Sequence, residues 1–279
     1  MHGNRARHSM YSKPFLKWAG GKYRILSFIL RELPAGARFV EPFAGSCSVY
    51  LNVDFPKALL CDLNSDLINL YRHIQNEGGE FIQYCASFFT PGNNTRSAYS
   101  ELRERLNATS DVRERTALLL YVNRHAFNGL IRYNSRGGFN VPFGKYNKPY
   151  FPVAEMRAFY RRTQSTDTEF VTADFRAVFA RLEPGDVVYC DPPYVPLSQS
   201  SSFTAYAGNV FTSSDQRDVA SLAMEAGGKG IRAVLSNHDT ELTRNLYFSA
   251  VLKHFDVQRF ISCDGDNRKT VPELLAMYG

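Results

Sequence analysis

An α/β fold, built on a mostly parallel sheet with helices on both faces, follows from the way two kinds of segment alternate along the 279-residue sequence. Short apolar runs end in polar or glycine-containing tips, and helical patterns with Ser, Thr or Asp caps lie between them. A basic block interrupts the alternation near the middle. "RFVEPFAG" (38–45) and "KALLCD" (57–62) read as the first two buried strands. From Asn64 to Tyr84 the pattern is helical, in two pieces broken around Gly78 and Gly79. "TEFVTADF", "DVVYCD" and "IRAVLSN" supply three further strands, and "TSSDQRDVASLAMEA" and "TELTRNLYFSA" supply capped helices.

The interruption has its own chemistry. Between Pro91 and Arg162 thirteen Arg or Lys residues face five acids, a net of +8 that exceeds the +6 of the whole chain. Helical candidates at 97–107 and 111–127 are followed by "NGLIRYNSRGGFNVPFGKYNKPYFP", rich in turn residues, aromatics and bases. Apolar anchors such as Leu118, Leu119 and Leu120 mark it as a folded insertion and not a linker. The expected organisation is a flexible tail over 1–12, a sheet domain from 13–64 and 165–279, and a mainly helical insertion over 65–164.

Composition excludes several classes. Hydrophobic residues at 44% and charged ones at 22% describe an ordinary globular protein. The positive balance favours a polyanionic partner, weakly when taken alone. Five cysteines, with no C-x-x-C pair, argue for a reduced compartment and against a disulfide scaffold or zinc. No run approaches the ~18 apolar residues of a membrane span. The opening "MHGNRARHSMYS" has no apolar stretch after its basic residues, so it reads as a tail and not as a secretion signal.

Ligands on an open parallel sheet bind beyond the carboxyl ends of the strands, where the sheet order reverses. Gly45, after the first strand, lets backbone pass close to a ligand, and Asp62 at the tip of the second is placed to accept from ribose hydroxyls. The glycine signal alone is weak, since the G-x-G-x-x-G fingerprint is missing. "DPPY" (191–194) sharpens it. The Asp191 carboxylate and the Pro192 carbonyl are both acceptors, as needed to hold the two hydrogens of an amino group, and Tyr194 offers a face on which a planar base can stack. The lone pair of an exocyclic amine on adenine or cytosine is delocalised into the ring. Acceptors aimed at its protons favour the pyramidal nitrogen that reacts with an electrophile.

The motifs "FLKWAGGKY", "FVEPFAGSCSVYLN", "CDLNSDLINLY", "NRHAFNGLIRYNSRGGFNVPFGKY", "YCDPPY" and "LSNHDT", from Phe15 to Asp239, together with the tail "NRKTVPELLAMY", resemble in order and spacing the adenine-specific DNA methyltransferases of the Dam type, in the D12 class. The resemblance implies a Rossmann-like S-adenosylmethionine-dependent methyltransferase fold with an inserted target-recognition domain. It implies methylation of adenine N6 within GATC in duplex DNA, base flipping, S-adenosyl-L-methionine as methyl donor and no metal. A cytoplasmic or nucleoid-associated monomer with no membrane and no obligatory protein partner is the matching setting.

By the same resemblance Trp18, Lys22, Phe43, Gly45, Asp62 and Asp191 are cofactor-site positions, and Asp191, Pro192, Pro193 and Tyr194 form the catalytic motif. Arg132 matches an arginine that reads the first guanine, which its rigid donor fork suits. Leu130, Pro142 and Tyr146 match other recognition positions, and Lys17, Asn128, Asn134 and Lys145 are further DNA-contact candidates. Two positions depart from the pattern. Cys47 stands where the cofactor turn usually has a second glycine, and Phe127 where close relatives have tyrosine. Its flat ring still suits entry into the duplex as adenine leaves. Methylation of cytosine N4, and a DNA-binding regulator without turnover, are the competing readings.

Overall fold

A computed structural model describes residues 11–196, 205–206, 209–258 and 270–279. The expected tail over 1–12 thus falls almost wholly outside the described residues, as does Cys263. The chain opens with α1 (Leu26–Glu32), then β1 (Arg38–Glu41) and β2 (Lys57–Asp62). Five helices follow: α2 (Ser65–Glu77), α3 (Gly79–Ala86), α4 (Arg96–Ala108), α5 (Val112–His125) and α6 (Val153–Ser165). The chain returns through β3 (Asp167–Thr172), α7 (Phe175–Phe179) and β4 (Asp186–Cys190), then a small hairpin of β5 (Ala205–Tyr206) and β6 (Asn209–Val210). It closes with α8 (Ser213–Gly228), β7 (Arg232–His238), α9 (Glu241–Leu246), β8 (Val251–Gln258) and β9 (Thr270–Tyr278).

The main sheet has the order β3-β2-β1-β4-β7-β9-β8. β3, β2, β1, β4 and β7 are parallel, and β9 runs antiparallel between β7 and β8. Successive strands move outward from β1 through β2 to β3, then the chain crosses back to β4 on the other side. The order reverses between β1 and β4, the switch point at whose carboxyl ends sheets of this kind form their ligand crevice. β4 is buried along its whole length, as a central parallel strand must be. At the opposite end of the same two strands Arg38 grips Asp186 with two hydrogen bonds, of 2.9 and 2.7 Å, fixing the register of β1 against β4.

Local signals set the helix ends. Asn64 caps α2 by accepting from the Leu67 N–H at 3.2 Å, and Gly78 ends it with φ 53°. The predicted break at Gly78 is therefore real, and a side chain there would strike the Tyr160 ring. Thr212 and Asp215 form a reciprocal capping box at the start of α8. α2, inside the expected 65–164 insertion, and α6, nearly so, are tied to the sheet domain: Gln75 donates to the Thr168 carbonyl of β3 at 2.8 Å and Arg162 to the Val53 carbonyl, in the segment before β2, at 2.7 Å. Every residue of α5 from Thr116 to His125 is buried, so this helix is the axis of the inserted layer. α6 and the C-terminal pair β8–β9 were not distinguished in the sequence.

His125 carries a pH consequence. It is 1% exposed, its Nδ1 lies 2.8 Å from the Tyr121 carbonyl, and its ring stacks on Tyr121. Burial, reinforced by the nearby Lys17 charge, lowers its pKa from 6.5 to about 4. The unfolded chain therefore binds more protons between those values, and stability that is complete above 6.5 is lost as the pH falls toward 4. The loss reaches about 2–3 kcal/mol. Denaturant melts of the protein and of a His125→Phe variant between pH 7 and 5 should differ in slope, the wild type falling faster. Parallel slopes would refute this assignment.

Candidate active site

The carboxyl ends of β1, β2, β4 and β7 deliver Glu41, Asp62, Asp191 and Ser236 to the rim of the crevice. Asp191 immediately follows β4. Its Oδ1 accepts from Lys22 Nζ at 2.7 Å and from Ser236 Oγ at 3.0 Å, so that oxygen is committed to the protein. Oδ2 takes no hydrogen bond among the described residues. Burial pushes the Asp191 carboxyl upward, while the Lys22 charge and the bonds from Lys22 and Ser236 pull it back toward ionisation. Lys22, itself buried, also donates to the Gly20 carbonyl at 2.7 Å and sits 4.3 Å from the centre of the Tyr194 ring.

The proline-containing loop is pinned from three sides. Gln216 of α8 donates to the Pro193 carbonyl at 2.6 Å, and the Val195 N–H donates to Asn237 Oδ1 at 3.0 Å. His238 Nδ1 lies 2.6 Å from the Val195 carbonyl. The Pro192 carbonyl takes no hydrogen bond among the described residues. Among the described residues nothing occupies Asp191 Oδ2 or this neighbouring carbonyl. Tyr194 is oriented by its own hydroxyl, which donates to Glu273 of β9 at 3.2 Å, and by the His238 ring packed edge-on at 4.8 Å.

The turn after β1 carries the second half of the site. Gly45 has φ +46°, and a β-carbon on it would lie 2.8 Å from the Trp18 indole nitrogen, so the turn closes against Trp18 only with glycine there. The Gly45 N–H donates to Asp62 Oδ2 at 3.0 Å and the Asn64 N–H to Oδ1 at 2.9 Å. A carboxylate offers about four acceptor sites, so capacity remains for a further donor. Burial raises the Asp62 pKa, and backbone hydrogen bonds from Asn64, Gly45 and Leu63 oppose the rise. Phe43 packs on Phe175, 5.3 Å between ring centres. Cys47, at the departure from a second glycine, takes a left-handed φ of 57°, and its N–H closes the turn on the Ala44 carbonyl at 2.7 Å. Its thiol is fully buried and pushed up by burial, which suits a packed side chain and not a reactive one.

Glu41 was missed in the sequence although it lies within "FVEPFAG". It is 2% exposed, its Oε2 has no hydrogen-bond partner among the described residues, and burial together with the Asp191 charge raises its pKa well above the usual carboxylate range. An orphaned acid oxygen between two other carboxylates calls for a hydrogen-bond donor or a cation from a ligand. Ser236, Asn237, Gln216, His238 and Glu273 are not singled out in the sequence, although each lies within a quoted stretch: "LSNHDT", "TSSDQRDVASLAMEA" or "NRKTVPELLAMY".

The basic layer gathers the other candidates. Asn123, buried in α5, donates to the carbonyls of Lys17 and Gly129 and accepts from the Lys17 N–H, bringing the N-terminal motif against the turn Phe127–Leu130. A β-carbon on Gly129 would sit inside the Lys17 side chain. Lys17 Nζ lies 4.1 Å from the centre of the Tyr146 ring. Phe127 and Leu130 are exposed, by 51% and 37%, and the Phe127 N–H donates to the Pro142 carbonyl at 2.9 Å. Asn128 and Lys145 are exposed in left-handed conformations. Arg132 is exposed, its Nε donating to Asn140 at 2.8 Å, while Asn134 closes the Arg136–Gly138 turn through its carboxamide oxygen. Lys17, Phe127, Leu130, Pro142 and Tyr146 thus cluster around one turn, and Arg132 and Asn134 share the adjoining hairpin.

The model of the D12 class N6 adenine-specific DNA methyltransferases matches residues 18–261, most of the chain. The chain belongs to that family. It is 46% identical over 267 residues to a DNA adenine methylase of Vibrio cholerae, covering 95% of this chain and 96% of the relative. It is equally similar, at 46% over 267 residues, to the DNA adenine methylase of Escherichia coli K12, covering 96% and 95%. To that of Serratia marcescens it is 45% identical over 268 residues, covering 96% and 98%. The sheet order and the crevice give this family member the Rossmann-like methyltransferase fold expected from the motifs. Among the described residues no helix is long and apolar enough to cross a membrane, and no cluster of side chains is arranged to hold a metal ion.

Proposed function

We propose that this adenine-N6 DNA methyltransferase acts on GATC in duplex DNA, with S-adenosyl-L-methionine held against β1 and β2 and adenine held at the Asp191–Tyr194 loop. The observation that carries the proposal is a pair of acceptors, Asp191 Oδ2 and the Pro192 carbonyl, that no described residue occupies, on a loop held by Gln216, Asn237 and His238. Two acceptors and no nucleophile match an amino group that must be oriented and not covalently activated.

The residues present fit the cofactor. Asp62 has spare acceptor capacity for ribose hydroxyls, the Gly45 turn and Trp18 form a close-approach wall, and Glu41 Oε2 awaits a positive donor such as an amino-acid ammonium. When bound, the cofactor supplies an electrophilic methyl group on its sulfonium. The chain supplies the rest. Bases of the inserted layer capture the phosphate backbone, Phe127 fills the stack as adenine leaves it, and Tyr194 receives the base on its ring face. Asp191 Oδ2 and the Pro192 carbonyl then hold the N6 hydrogens and turn the nitrogen lone pair toward the methyl group. The nitrogen–carbon bond would form as the sulfur–methyl bond breaks, its electron pair remaining on sulfur as a neutral thioether, and the N6 proton would pass through the Asp191 carboxylate to solvent.

Target reading falls to the cluster around Phe127 and the adjoining Arg132 hairpin. Incubation with S-adenosyl-L-methionine and a duplex library, followed by mapping of modified bases, tests the whole reading: methyl groups on adenine confined to GATC support it, and transfer to other sequences rejects the target. Asp62→Ala is expected to weaken cofactor binding about 10-fold or more, in proportion to one or two lost charged hydrogen bonds. Calorimetric titration in the absence of DNA checks this, and unchanged affinity in a folded variant rejects the ribose assignment.

A further inference from the structure

Beside the exposed Arg132 lies a buried ion pair that the proposed chemistry does not use. Asp66, in the first turn of α2 and 8% exposed, receives both prongs of Arg115: Nε to Oδ1 at 2.6 Å and the guanidinium NH2 to Oδ2 at 2.9 Å. Arg115 also donates to the Leu106 carbonyl at 2.8 Å, so α2, α4 and α5 meet at this side chain. A third donor reaches the same carboxylate from outside the helices: the Tyr133 hydroxyl, 2.8 Å from Oδ2.

Tyr133 is the residue after Arg132, in a segment bridged antiparallel to Phe139. Successive side chains of an extended segment point to opposite faces, so a phenol fixed inward on Asp66 fixes the guanidinium outward. Asn107 of α4 clasps the facing strand through the Phe139 N–H and carbonyl, at 2.8 and 3.1 Å. One strand of the hairpin is therefore held by α4 and the other, the one that carries Arg132, by the Tyr133 hydroxyl.

We propose that Tyr133 is a specificity-determining positioning residue, anchored on the Asp66–Arg115 pair, that sets the register and face from which Arg132 reads its base pair. The inference rests on the base-reading role given to Arg132 above. Tyr133→Phe is the sharp test. It removes only the hydroxyl and keeps the ring, which packs edge-on to Phe139 at 6.0 Å between centres.

Single-turnover methylation is compared on the mapped target and on duplexes changed at one base pair at a time, for the wild type, Tyr133→Phe, Arg132→Ala and the double variant. Tyr133→Phe should lower discrimination about tenfold, as for one charged hydrogen bond at the low end of its range, at the base pair affected by Arg132→Ala and at no other. The double variant should discriminate no worse than Arg132→Ala, because both changes act through one guanidinium. Arg115→Lys, which keeps the charge but not the two-pronged hold, should give a smaller loss at the same base pair. Full discrimination by Tyr133→Phe, loss spread over several base pairs, or a loss that adds to that of Arg132→Ala overturns the inference while leaving the base-reading role of Arg132 intact. Undiminished discrimination by Arg132→Ala overturns that role and the inference together.

Discussion

Asp191→Ala should slow single-turnover methyl transfer by about 10²–10³-fold while duplex affinity stays within a few-fold of wild type. The reason lies in how the two carboxylate oxygens are divided. Lys22 and Ser236 both hold Oδ1, which leaves Oδ2 without a hydrogen bond among the described residues. Removing the carboxylate leaves one acceptor where the amine needs two, and this loss is felt most as nitrogen becomes pyramidal. The same change strands the buried Lys22 ammonium without its ion pair, at a cost of up to about 3–5 kcal/mol, so rates must be read below the melting temperature of the variant. Asp191→Asn, which retains an oxygen but no charge, should fall between the two. A folded Asp191→Ala enzyme with near-normal transfer would remove Asp191 from the mechanism.

Arg132→Ala should lose about 1–3 kcal/mol of discrimination at one base pair of the target. The side chain is exposed; Nε donates to Asn140 Oδ1 at 2.8 Å and one terminal nitrogen reaches the Asn140 carbonyl at 3.5 Å, which leaves donors on both terminal nitrogens for a two-pronged contact with a guanine edge. A phosphate contact would behave differently, with similar loss on every duplex and a shallower salt dependence. Rates and affinities on GATC and on duplexes changed at the guanine, at several fixed salt concentrations, separate the two. A variant that keeps the full discrimination ratio excludes guanine reading, even where its absolute affinity falls.

The sequence was most legible where local chemistry decides structure. "DVVYCD" is a continuous apolar run because β4 is covered on both faces, and Asp191 lies at its tip because a parallel strand exposes only its end. Gly78 breaks α2 from α3 as its conformational freedom implied. The antiparallel β9 was harder to see: "TVPELLAMY" has a proline near its start and an apolar pattern too dense to show period two, and it becomes a strand by pairing with β7 and β8 on either side. The supports of the site were least legible. Ser236, Gln216 and Glu273 look like ordinary polar residues in buried elements, and only the folded sheet brings them to Asp191, Pro193 and Tyr194. Glu41 shows no sign in the sequence that one of its oxygens is buried without a hydrogen-bond partner among the described residues. The Cys47 departure is absorbed by a left-handed turn that closes as a glycine turn would.

The central claim is that the Asp191–Tyr194 loop presents the amino group of adenine for methyl transfer. The most direct measurement is a single turnover with methyl-labelled S-adenosyl-L-methionine on a defined duplex that contains one GATC site, digested to nucleosides and separated. Label is expected in N6-methyl-2′-deoxyadenosine alone, about one methyl per modified strand, with loss of that product in Asp191→Ala. Label in N4-methylcytosine, or in no base at all under conditions where both duplex and cofactor bind, would contradict it.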